Sequence, residues 1–334
     1  MHIFKNTHYD FLRWRWHAIA VSWAIIIIGA VVFVSRGMPL GIEFAGGTAI
    51  VEKFDQPTST EQVRSALDKS LAGGGGEVVI QPYGNRSLNQ YLIRVPTVGA
   101  ESGSELSSEQ AKVENALKQG GLGNFTPQGA QIVGPAVGKE LRSKALLATV
   151  FSLAGLLAYI AFRFQFSFAV GAVVATIHDL LVTLAFLVIF RYDMSLNVIA
   201  GILTITGFST NDTIVIFDRI RENMRSLRRD KLGHVINVAI NQTLGRTIIT
   251  SGTAFLTSIA LFLFGGEVLH GFAFTMVVGI ATGTYSSVFI AAAIISFWRG
   301  TGPTRAAAHA PASASAAPQQ PTRKSKPQRK ARAS

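Results

Sequence analysis

The apolar positions of this chain fall into two patterns, long unbroken runs and short alternating ones. The long runs occupy 18–34, 144–162, 166–190, 196–217, 246–264 and 271–298. Each is close to the roughly 20 residues that a helix needs to cross the hydrocarbon core. Between the first two, from 36 to 142, no run is long enough to span and the periods shorten. Segments 42–54, 77–81, 90–95 and 128–133 read as strands. Segments 58–71 and 107–119 have helical spacing behind Thr or Ser caps. The order β-α-β-β-α-β is that of a ferredoxin-like domain. The expected fold is a polytopic α-helical membrane protein with six transmembrane helices and one α+β ferredoxin-like domain.

The boundaries follow from the same pattern. Residues 1–17 precede the first span at 18–35, and the water-facing domain covers 36–142. Spans two to six fill 143–298 with a loop at 218–245, and a tail runs from 299 to 334. Runs of glycine at 73–76 and the Gly84-Asn85 pair are expected turns. Gly134, Pro135 and Gly138 suggest a hinge ahead of the second span. The Gly46-Gly47 pair lacks the Gly-Lys-Ser/Thr of a phosphate cradle and reads as a close backbone approach.

Composition supports the membrane reading, with 49% hydrophobic and 15% charged residues. The net charge of +12 would suit a nucleic-acid binder if it were spread over a soluble surface. It is not: 36–144 holds 11 basic and 11 acidic residues, and the excess sits in flanking loops and the tail. Arg219, Arg221, Arg225, Arg228, Arg229 and Lys231 share one loop, which by the positive-inside rule places that loop and both termini in the cytoplasm. The domain at 36–142 is then periplasmic. The Ala/Pro/Ser tail ending in basic residues has a composition for disorder and for contact with anionic lipid. There is no cysteine, so thiolate chemistry is excluded. No Walker motif, HExxH or nucleophile constellation occurs, so no enzymatic activity, metal or cofactor is expected.

Candidate chemistry lies inside the spans. Asp212 interrupts the fourth, about six residues or ~9 Å from its inner end. An ionised side chain there costs roughly 2.5–3.5 kcal/mol, so it should face the bundle interior and serve an ion or proton path. Small and polar residues recur at three and four, the mark of close helix packing: Gly171, Ala175, Asp179 and Thr183; Asn197, Gly201, Thr204 and Asp212; Arg246, Thr250, Thr253 and Thr257; Thr275, Gly279, Gly283 and Ser287. Arg246 is within reach of Asp212 from the next span. An alternation between a protonated Asp212 and an ion pair with Arg246 is expected, burial and the cation pulling on the proton in opposite senses. A static ion pair is the plainer alternative. His178 and Asp179 are candidate proton relays, although neighbours on a helix point about 100° apart and should not serve one ligand together.

Several stretches resemble the SecF family of bacterial protein translocase subunits, part of the SecD/SecF group in the resistance-nodulation-division (RND) superfamily. They are Gly41-Ile42-Glu43-Phe44-Ala45-Gly46-Gly47-Thr48, residues 133–141, Phe162-Arg163-Phe164, His178-Asp179, Asn211-Asp212-Thr213 with residues 217–223, and residues 241–251. The resemblance implies half of an RND-type bundle in the inner membrane with a periplasmic domain. It also implies assembly with SecD, the SecYEG channel and YajC, and use of the proton-motive force to help preproteins out of the channel. It places the proton-coupling residues at Asp212, Arg246 and Thr250. Glu43, Phe208 and Gly245 depart from the commoner family residues without touching the charged positions. Two other readings share the same residues: half of a proton-coupled small-molecule exporter, and a non-conducting scaffold for SecD.

Overall fold

The computed structural model describes residues 8–71, 78–84, 88–95, 103–163 and 166–299. The expected disordered tail, apart from Arg299, and the Gly73–76 turn lie outside them. The soluble domain is a four-stranded antiparallel sheet, β1 (Gly47–Phe54), β2 (Val79–Pro82), β3 (Gln90–Val95) and β4 (Phe125–Val133), in the order β2-β3-β1-β4. This is the ferredoxin-like arrangement. Alternation on β1 sends Ile50, Glu52 and Phe54 to one face. There they meet the helices that cover the sheet, with Val63 and Leu67 from one and Val113 and Leu117 from the other.

Among the described residues, six helices are long and apolar enough to span a membrane. The first is α1 (Arg15–Arg36). A short turn, α2 (Ile42–Ala45), follows, then α3 (Thr60–Leu71) and α4 (Gly103–Gln119) over the sheet. The remaining spans are α5 (Pro135–Arg163), α6 (Phe166–Ile189), α7 (Leu196–Ser226), α8 (Leu232–Phe264) and α9 (Gly266–Ser286). The last continues through a π-turn (Ser287–Ala291) into α10 (Ala292–Arg299). Aliphatic and aromatic residues of α6, α7, α8 and α10 form the bundle core around Phe168, Phe217, Ile220, Ile236 and Ile295.

Two expectations change. Residues 42–45 are helical, so the first strand starts at Gly47; the glycines on either side hold extended or positive-φ backbone that isolates the turn. The long loop at 218–245 is mostly helix, because α7 runs to Ser226 and α8 begins at Leu232. Charged residues mark where a helix leaves lipid, not where it ends, and the Arg219–Glu222 pair at 2.7 Å supports the emerging turn. Pro135 opens α5 one residue after β4, the position where a missing N–H is harmless. Gly138 is helical and lets α5 touch the backbone of Gly46, where an added Cβ would lie 3.2 Å from the amide nitrogen.

The domain is moored to the bundle through the connection between α6 and α7. Gly41 donates its N–H to the Met194 carbonyl at 2.7 Å, and Met194 donates to Pro39 at 2.8 Å. Arg94 of β3 forms an ion pair with Asp193.

Candidate functional site

The site is built where α7 and α9 approach closely enough that side chains cannot separate them. A Cβ on Gly279 would fall 2.3 Å from Ile205, and one on Gly283 would fall 2.7 Å from Ser209. These glycines let the helices meet backbone to side chain. One turn beyond Gly283 the helix widens into the π-turn, a feature that recurs at functional positions. Ser287 opens it and donates its hydroxyl to Asp212 Oδ2 at 3.2 Å. Thr247 of α8 donates to Asp212 Oδ1 at 3.0 Å. Asp212 is therefore buried between three helices with one hydroxyl on each oxygen, in keeping with the rule that buried polar groups find partners.

Arg246 is placed differently. It makes no ion pair with Asp212; it is exposed and lines a cavity of about 270 Å³ with Tyr159, Arg163, Ile214, Val215 and Asp218. Its charge still acts on Asp212 through space. Thr250 turns its hydroxyl back onto the carbonyls of Arg246 and Thr247, at 2.9 and 3.2 Å. Thr253 and Thr257 lie on the same exposed face. The interior face of α8 is instead Thr243, Thr247, Ser251 and Ser258. Both faces of this helix carry hydroxyls at helical spacing, so periodicity alone does not choose between them. The stripes read on α6 and α9 are buried throughout. On α7, Gly201 and Asp212 are buried, Asn197 is half-buried and Thr204 is exposed.

A second polar cluster sits one helical turn along α7 from Asp212. Ser209 donates to Asp179 Oδ2, and His178 Nδ1 lies 3.0 Å from Asp179 Oδ1. The two neighbours on α6 thus contact each other although their Cα–Cβ bonds diverge; the imidazole folds back across the carboxylate. His178 Nε2 is buried with no hydrogen-bond partner. Beside it the Tyr285 ring lies 6.5 Å from the imidazole, donates its hydroxyl to Ala18 O and accepts from Ser22 at 3.3 Å. Ser209, Thr247 and Ser287 are the contacts that sequence reading did not single out as site residues. Of these, only Ser287 carried a signal, as the last member of the α9 stripe.

The arrangement is two neighbouring groups of buried polar side chains, Asp212 with Thr247 and Ser287, and Asp179 with His178 and Ser209, one helical turn apart along α7. Comparison with known proteins is consistent in every direction. The family described as "Protein export membrane protein SecD/SecF, C-terminal" matches residues 112–301. The chain is 36% identical to "Protein translocase subunit SecF" of Koribacter versatilis, covering 90% of this chain and 95% of that protein. It is 40% identical to the SecF of Desulfurispirillum indicum, covering 86% and 91%. In three dimensions it is similar to the crystal structure of SecDF, a translocon-associated membrane protein from Thermus thermophilus, with a TM-score of 0.77 and 33% identity. That match covers 88% of this chain and 39% of the longer SecDF chain. With residue identity, domain order and bundle geometry in agreement, the chain belongs to the SecF family of protein translocase subunits.

Proposed function

We propose that this chain works with SecD as a proton-driven subunit of the Sec export machinery, promoting preprotein passage through SecYEG and release on the periplasmic side, with YajC as a further neighbour. The observation that carries the reading is Asp212, a carboxylate buried among the spans and held by hydroxyls that can turn between donating and accepting. A proton bound and released there while crossing 100 mV makes about 2.3 kcal/mol available. The exposed polar face of α8, with Arg246, Thr250, Thr253 and Thr257, is costly against lipid and suits burial against a second half-bundle of similar architecture. Movement of that half relative to α8 would bring Arg246 toward Asp212 or withdraw it. Ser209, Asp179 and His178 form the leg of the path nearer the soluble domain. The basic residues from Arg219 to Lys231 support a cytoplasmic placement for the α7–α8 connection and both termini, in the inner membrane, with the soluble domain in the periplasm. The basic tail adds contact with anionic lipid there.

The test is export of a slowly translocating preprotein into inner-membrane vesicles with and without a proton gradient. Asp212→Asn should reduce the gradient-dependent part of export to that of vesicles lacking the chain. Full stimulation by the variant would remove the proton role and leave a scaffold for SecD.

A further inference from the structure

Where α5, α6 and α7 meet on the domain side of the membrane they leave a groove of about 320 Å³. Its walls are Ala145, Leu146 and Thr149 of α5, Leu180 and Leu184 of α6, and Ile199 and Ile202 of α7; Leu40, Phe44 and Met194 close the top. The lone polar wall group, Thr149, spends its hydroxyl on the Ala145 carbonyl at 2.9 Å, so the interior offers only hydrocarbon. At the mouth stands Arg142.

The depth of the groove matches one leaflet. Arg142 and Arg163 lie about 31 Å apart along α5 at 1.5 Å per residue, close to the ~30 Å hydrocarbon thickness. Arg142 is therefore at headgroup level on the domain side. Leu184 and Leu180 lie about 8 and 14 Å inside the domain-side end of α6, and Ile202 lies about 9 Å inside that of α7. The slot thus runs from the headgroups nearly to the midplane. The charged group at the mouth is Arg142. Lys139, Arg142 and Lys144 share the first turns of α5, and the single acid among them, Glu140, is taken by Lys144 at 2.6 Å. Arg142 is exposed and has no ion-pair partner among the described residues. An apolar slot one leaflet deep beneath an unpaired guanidinium is complementary to a single anionic amphiphile.

We propose that this groove binds an anionic phospholipid of the domain-side leaflet, one acyl chain lying along α6 between α5 and α7 and the phosphate held by Arg142. Headgroup charge supplies selectivity, because a zwitterionic lipid would bring its own cation toward Lys139 and Arg142. The site is independent of the proton path and does not rest on its assignment.

The test uses the full chain in nanodiscs of equal phosphatidylglycerol and phosphatidylethanolamine, followed by native mass spectrometry of the lipid retained in detergent. The native chain should retain phosphatidylglycerol in preference. Arg142→Gln should lower that preference roughly fivefold, the effect of one basic side chain at the headgroup level. Leu184→Trp, which fills the slot, should remove the retained lipid of either kind, while Val150→Trp on the exposed face of α5 should change nothing. Phosphatidylglycerol carrying a photoreactive acyl chain should label Ala145, Thr149 and Leu184 ahead of Leu147 and Phe151. An unchanged lipid ratio in Arg142→Gln, labelling spread evenly over the exposed face of α5, or a protein helix crosslinked in the slot would each overturn the proposal. Should Leu184→Trp fail to fold, the ratio in Arg142→Gln and the labelling pattern of the native chain still decide.

Discussion

Among the described residues two carboxylates besides Asp179 are deeply buried, and their surroundings are opposite in kind. Asp212, among the spans, has a hydroxyl donor on each oxygen. Glu52, in the core of the soluble domain, is fully buried and has a donor on neither. It points between β1 and α4, where burial and the negative charge of Glu114 push its carboxyl up to about 7, with Lys118 opposing them. A hydroxyl-lined carboxylate can exchange a proton while its surroundings stay in place. A bare one in an apolar core is tolerated mainly as the neutral acid, and its ionisation is a load on the fold. Burial alone therefore does not distinguish the two carboxylates; the hydroxyl donors around Asp212 and their absence around Glu52 do.

The largest effect that sharpens this contrast concerns Glu52. Its folded value of about 7 lies above the ordinary 4.5, so the folded domain holds the proton more tightly. That contribution is complete below about pH 4.5 and is lost as pH rises through 7, amounting to about 3 kcal/mol. Hydrogen exchange at β1 and α4 amides in the full chain should show protection falling from pH 5 to 8. Glu52→Gln should flatten the profile without altering gradient-driven export. Next, Gly283→Val should force α7 and α9 apart, costing about 1–3 kcal/mol and carrying Ser287 away from Asp212; thermal inactivation and loss of gradient-driven export would report both. Comparable in size but confined to proton affinity, the loss of one donor in Ser287→Ala or Thr247→Ala is worth about 1.5–3 kcal/mol to the charged form of the carboxylate, and should move the pH profile of gradient-driven export with little change in thermal stability. Thr250→Ala should do least to that profile, under about 0.5 kcal/mol, and should be read instead in how much SecD is recovered with the chain in mild detergent. A profile shifted as far by Thr250→Ala as by Thr247→Ala would break the assignment of the inner face of α8.

Much of this was legible from residues alone. Apolar run length gave all six spans because the bilayer fixes the length of a crossing helix. Strand alternation and helix periods gave the ferredoxin-like order, and the isolated Asp212 within an apolar run announced itself. The α7–α8 connection was misread because polarity changes at the membrane surface while backbone hydrogen bonding continues to Ser226. The inward face of α8 was hidden because Arg246-Thr250-Thr253-Thr257 and Thr243-Thr247-Ser251-Ser258 both follow helical spacing, and the packing of α7 and α9 selects the second. Glu52 was invisible for a related reason. Its place two residues from Ile50 and from Phe54 puts it on the core face, yet the lack of any donor there depends on what α3 and α4 bring over the sheet.

The proposed coupling puts proton transfer at Asp212 and none of it at Glu52. Proton uptake into vesicles containing the chain with SecD, driven by an imposed gradient, tests it most directly. Uptake is expected from the native chain and from Glu52→Gln, and none above empty vesicles from Asp212→Asn. Uptake that survives in Asp212→Asn, or that disappears in Glu52→Gln while the protein remains folded, would contradict it.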